Sequence, residues 1–214
     1  MPTPFISDSG GIELRAFLRY LESSDAERVA RDCTAWQADP RDALVLGDVC
    51  RHMLRRTAHA RAFYAWALRY LEDHPEAARE MPDLAARYSV LGDLCSGLSE
   101  SDAAMDAWAK SIDHGSDDPV PYLRLACALE SDGRVQEARA RIDGLFALPP
   151  GRLQSRLDPE QHRLAERLRA TLPVAYGGSD GQDLRARVRE LLLVAEQSYG
   201  RFDVRAEQRR EALS

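Results

Sequence analysis

Apolar side chains recur along this chain at three- and four-residue intervals rather than in alternation, which predicts helices almost throughout. Ile12, Leu14, Phe17, Leu18 and Leu21 make one stripe. Ser24-Asp25 then offers an N-cap for a second helix that carries Val29, Ala30, Cys33 and Trp36. Asp39-Pro40 ends it, because proline cannot continue a helix. No run of alternating β-branched residues lies between turn signals, so strands are not expected. Further along, Asp158-Pro159-Glu160-Gln161 combines a capping residue, a proline just inside and a glutamine three residues on. It opens a helix with the apolar stripe Leu157, Leu164, Leu168 and Leu172. Gly177-Gly178-Ser179-Asp180-Gly181 reads as a flexible joint. A last helix from about Asp183 presents Leu184, Val188, Leu191, Leu192 and Ala195.

The middle of the chain repeats itself. Val45-Leu46-Gly47-Asp48-Val49-Cys50 returns as Val90-Leu91-Gly92-Asp93-Leu94-Cys95, identical but for one Val-to-Leu change. A second echo follows each copy: Ala65-Trp66-Ala67 and Ala107-Trp108-Ala109. Each unit therefore reads as a helix, a short turn and a second helix bearing a buried tryptophan, which is the pattern of a helical repeat with connections of variable length.

These residues resemble the tetratricopeptide repeat over about residues 40–150. The third unit follows that pattern most closely, with Tyr122, Leu125-Ala126, Leu129, a turn at Asp132-Gly133, then Ala138, Ile142 and Pro150. The second unit has Tyr88, Leu91-Gly92, Cys95, Ala104 and Trp108. The first has Ala43, Leu46-Gly47, Cys50, Ala60, Tyr64 and Pro75, with an inter-helix turn one residue longer, and residues 76–86 are an insertion before the second unit. The resemblance implies an all-α, right-handed helical-repeat solenoid of helix hairpins, with extra helices at both ends. Its expected parts are a degenerate helix pair at 12–39 and repeats at about 40–75, 85–118 and 119–150. An additional helix at 151–173, a linker at 174–182 and a C-terminal amphipathic helix at 183–214 follow. Gly47, Gly92 and Ala126 are the small residues that let the paired helices approach, and Tyr64, Trp108 and Ile142 fill the space between repeats.

Charge and candidate chemistry narrow the function. The 214-residue chain has a net charge of −6. Residues 1–150 hold 25 acidic and 17 basic side chains, which argues against nucleic acid as a ligand. No apolar run approaches the roughly 20 residues of a membrane helix. The N-terminus has no secretory pattern, and Cys33, Cys50, Cys95 and Cys127 are far apart, so a cytoplasmic protein with free thiols is expected. No nucleotide, hydrolase or zinc-protease motif occurs, and the five histidines form no metal-binding pair. Neither catalysis, a cofactor nor a metal is expected. Asp102 and Asp118 read as helix caps.

In tetratricopeptide arrays the first helix of each pair lines a concave surface. The resemblance therefore implies a partner-binding groove of Arg41, Asp48, Arg51, His52, Asp93, Ser96, Arg124, Cys127 and Glu130. The expected function is a non-enzymatic adaptor or chaperone that binds a partner polypeptide. A narrower expectation comes from Pro119-Val120-Pro121-Tyr122 with Leu125-Ala126-Cys127, Gly133 and Glu137-Ala138, which look like the last repeat of the translocator chaperones of bacterial type III secretion. The rival expectation is a self-assembling structural protein that forms a homodimer through its C-terminal helix.

Overall fold

A computed structural model describes residues 4–7 and 11–174. Those residues are helical apart from turns and one isolated bridge, Ile6 to Ile12. The predicted linker from residue 175 and the C-terminal helix lie outside the described residues. Two helices, α1 (Leu14–Ser23) and α2 (Ala26–Ala35), come first, and α2 packs on α4 (Thr57–Asp73). Asp25 caps α2, accepting from the Arg28 amide at 2.7 Å. Asp39-Pro40 falls in the turn after α2 and also opens the next helix. Asp39 caps α3 (Pro40–Asp48), with Pro40 in its first turn, where a missing N–H costs nothing.

Three hairpins follow: α3 with α4 (Thr57–Asp73), α6 (Leu84–Gly97) with α7 (Ser101–Asp113), and α8 (Pro119–Ser131) with α9 (Val135–Ala147). The short α5 (Pro75–Arg79) starts at the last residue of the first unit and runs into the insertion. Each hairpin packs on itself, α4 packs on α6, and α7 packs on α8. Asp118 caps α8 through the Val120 amide, as expected. Asp102 does not cap α7, because the helix begins one residue earlier at Ser101. It lies in the first turn, where a negative charge suits the helix dipole.

The turns inside the hairpins are equivalent hydrogen bond by hydrogen bond. The carbonyls of Cys50, Cys95 and Leu129 accept from the amides of Arg56, Glu100 and Arg134 at 2.8–2.9 Å, and those three residues in turn accept from Ala60, Ala104 and Ala138. The residue just before the donor is left-handed each time: Arg55, Ser99 and Gly133. The extra residue predicted in the first turn is absorbed by a π-helical turn at Val49–Met53, closed by the Leu54 amide on the Val49 carbonyl.

Within each hairpin, close approach explains the glycines. A Cβ on Gly47 would lie 2.7 Å from Tyr64 Cδ2, and one on Gly92 would collide with the Trp108 ring. The residue beneath Gly47 is thus Tyr64, which is fully buried, and not Trp66, which is only half-buried and donates to Thr34 Oγ1 at 2.9 Å. The Ala-Trp-Ala echo is a coincidence of sequence: the true counterparts are Tyr64 and Trp108.

The segment expected to hold one helix holds two, α10 (Pro150–Arg156) and α11 (Pro159–Val174). Asp158 accepts from the Glu160 and Gln161 amides while the Gln161 side chain accepts from the Asp158 amide, a reciprocal capping box. α10 packs on α8 and α11 on α9, so both cover the third hairpin. Ala165, Leu168 and Leu172 of α11 are buried, while Glu160, Arg163, Glu166 and Arg167 are exposed, as suits an end-cap. At the other end Phe5 packs on Phe17, Tyr20 and Trp36 with ring centroids 5.0–5.4 Å apart.

Candidate functional site

The repeated Leu-Gly-Asp puts an aspartate on each first helix beside a ring from its own hairpin and an arginine from the next. Asp48 on α3 accepts from the Tyr64 hydroxyl of α4 at 2.5 Å and from Arg87 of α6 at 2.9 Å. Arg87 also donates to the Tyr64 oxygen at 3.1 Å, which closes the triad. One hairpin later, Asp93 on α6 accepts from the Trp108 indole of α7 at 3.2 Å and pairs with Arg124 of α8. The Arg124 guanidinium lies 6.0 Å from the Trp108 ring centre, within cation–π range.

These groups are neither buried nor free. Asp48 is 34% exposed and Asp93 28%, so their charges are partly screened by water. Burial and the neighbouring Asp48 carboxylate push the Tyr64 phenol up to about 12, so it stays a donor at all ordinary pH. Burial opposes the charge on Arg87, but its bonds to Tyr64 and Asp48 more than offset that and hold it above the usual arginine value. Further ion pairs join neighbouring hairpins: Arg61 to Glu100 at 2.8 Å and Lys110 to Glu72 at 2.9 Å.

The third hairpin breaks the series. Cys127 stands where Asp48 and Asp93 stand, and Ile142 where Tyr64 and Trp108 stand. Burial pushes the Cys127 thiol up to about 12 and also raises the Glu130 carboxyl one turn on.

Of the predicted groove residues, the structure thus commits Asp48, Asp93 and Arg124 to contacts between hairpins. Arg41 reaches the Glu80 carboxylate and carbonyl, both at 3.3 Å, and ties α3 to the insertion. Arg51 and His52 lie on the π turn and make no side-chain hydrogen bond or ion pair among the described residues. Ser96 is exposed near the end of α6. Three contributors were missed. Arg87 was hidden because it does not share Arg124's place in the repeat; it stands one helical turn earlier relative to the Leu-Gly-Asp framework. The other two are Val45 and Met53, apolar yet 44% and 66% exposed. Val45 sits on α3 and Met53 closes the π turn that follows it. Nothing in a sequence separates an apolar side chain left open in this way from one that joins the core, as the half-buried Val49 between them does.

Among the described residues no group of three or more His, Cys, Asp or Glu side chains converges on a metal position, and no helix is long and apolar enough to cross a membrane. All four cysteines are unpaired, three of them buried. No protein-family model matches the chain, and a search of curated proteins finds no match.

Proposed function

We propose that the protein is a non-enzymatic binding module, a right-handed solenoid of tetratricopeptide type that grips a partner polypeptide on the concave face formed by α3, α6 and α8. The observation that carries this reading is the pair of exposed apolar side chains Val45 and Met53 beside the uncommitted Arg51 and His52. Apolar side chains left open on a rigid first helix, with unpaired polar groups at their edge, are what a recognition surface requires. The Asp–ring–Arg triads support it from beneath, since they hold successive first helices in a fixed relation and lower the ordering cost of binding. In this role Asp48 and Asp93 position the groove, while Arg51, His52, Ser96, Val45 and Met53 meet the partner.

The test is capture of partners from the source cell by the full chain, by Val45→Asp/Met53→Asp, and by Arg163→Asp on the exposed side of α11. Loss with the groove variant and retention with the α11 variant is the expected result. Equal capture by all three, with unchanged melting temperatures, contradicts the groove reading and leaves the helical fold standing.

A further inference from the structure

The insertion that interrupts the repeat borders an open cleft. Residues 74–83 join α4 to α6, where residues 114–118 suffice to join α7 to α8. Between the end of α4, the short α5 and the start of α6 lies an open cavity of about 430 Å³. Its apolar walls are Leu71, Pro75, Ala78 and Leu84, and its aromatic floor is Tyr88 stacked on His114, with centroids 5.1 Å apart and planes 5° from parallel. The floor is fixed: the Tyr88 hydroxyl donates to Glu72 at 2.7 Å, and Lys110 neutralises the same carboxylate. The equivalent ring in the next hairpin, Tyr122, lies against Gly144 of its own second helix. Its Cε1 would lie 3.1 Å from a Cβ on Gly144.

One charge at the cavity is uncompensated. Arg79 lines it and makes no ion pair among the described residues, whereas Glu72 is held by two donors. The volume falls within the roughly 300–1,000 Å³ of small-molecule sites, which pair apolar walls with few polar groups.

We propose that this cleft binds a small aromatic carboxylate, its ring against Pro75, Ala78 and Leu84 over the buried Tyr88 and its carboxylate on the Arg79 guanidinium. The site is independent of the groove, none of whose residues lines it. A cation is disfavoured because the only open charge is positive. A neutral aromatic keeps the apolar contact and loses the charge-assisted bond.

The test is an amide-resolved NMR titration of the full chain with 3-phenylpropionate, 3-phenylpropan-1-ol and 3-phenylpropylamine. The acid should shift Ala78, Leu84, Tyr88 and His114 saturably and bind roughly tenfold tighter than the alcohol, one charge-assisted bond's worth. The amine should give no saturable shift. Arg79→Ala should bring the acid to the alcohol's affinity and leave the alcohol unchanged. Because Arg79 is exposed, that variant keeps the fold. Ala78→Phe, which fills the cavity, should abolish both. Absence of saturable shifts at those four residues overturns the proposal. So do equal affinities for the three probes, or an acid affinity indifferent to Arg79.

Discussion

Asp48 and Asp93 each hold a ring from their own hairpin and an arginine from the next, whereas Cys127, at the same place in the third hairpin, is bracketed by aliphatic packing and the short α10. The difference shows two ways to join successive helix pairs. The polar triad is directional and partly wet, so it fixes geometry more than it adds stability. The aliphatic junction of Leu123, Ala126, Ile142 and Leu145 with Leu153 and Leu168 gains from burial and tolerates more variation in angle. The first triad starts on α3, which also carries the exposed Val45, and the aliphatic junction continues into α10 and α11.

The sharpest way to break the comparison is steric. Gly92→Ala drives a methyl into the Trp108 ring and should cost about 1–3 kcal/mol in urea unfolding. Gly97→Ala, on the same helix with open space around it, should cost nothing. If the two variants unfold alike, close helix approach is not what the repeat glycine provides.

Next in size are the triads. Tyr64→Phe removes a bond to a charged acceptor and should cost up to about 2 kcal/mol. A double-mutant cycle on Asp48→Ala and Arg87→Ala should give a coupling below about 1 kcal/mol that shrinks between low and high salt. Ile142→Val in the third hairpin should cost about 0.5–1.5 kcal/mol with no salt dependence. A salt-independent coupling at Asp48–Arg87 would erase the distinction between the two kinds of junction.

The turns give a smaller effect of opposite sign. Ser99 holds the left-handed conformation that Gly133 holds in the third hairpin, at φ 61° and 77°. Ser99→Gly relieves a strain of roughly 1 kcal/mol, less the entropy glycine loses on folding, so a rise of a degree or two in Tm is expected. An unchanged or lower Tm counts against the equivalence of the turns.

The smallest effect depends on pH. Burial raises the Glu130 carboxyl above its unfolded value, so the folded chain holds that proton more tightly. Stability contributed by this group is therefore present at low pH and lost as pH rises through the raised value. Glu130→Gln should match the parent in Tm at acidic pH and exceed it at neutral pH. A constant gap across that range would mean that the carboxyl does not titrate with folding.

Much of the fold was legible because its determinants are local. Leu-Gly-Asp recurs in register, Ala60, Ala104 and Ala138 follow at the right distance, and Asp25, Asp118 and Asp158 cap where the pattern placed them. The site was less legible. An aspartate that packs beside a ring looks in sequence like one that faces solvent, so Asp48 and Asp93 read as partner contacts before their bonds to Tyr64, Arg87, Trp108 and Arg124 were visible. Arg87 and Arg124 reach equivalent aspartates from different repeat positions, which no period in the sequence reveals. The repeated Ala-Trp-Ala misled for the converse reason: identity of letters placed Trp66 opposite Trp108, while helix contact pairs Trp108 with Tyr64.

The central claim is that a partner chain lies along α3, α6 and α8. Photo-crosslinking in the source cell tests it most directly, with a photoreactive side chain placed singly at Met53, Ser96 or, on the far cap, Arg163. The account predicts one shared partner crosslinked from Met53 and Ser96 and absent from Arg163. Crosslinks from Arg163 alone, or only to a second copy of this chain, would contradict it.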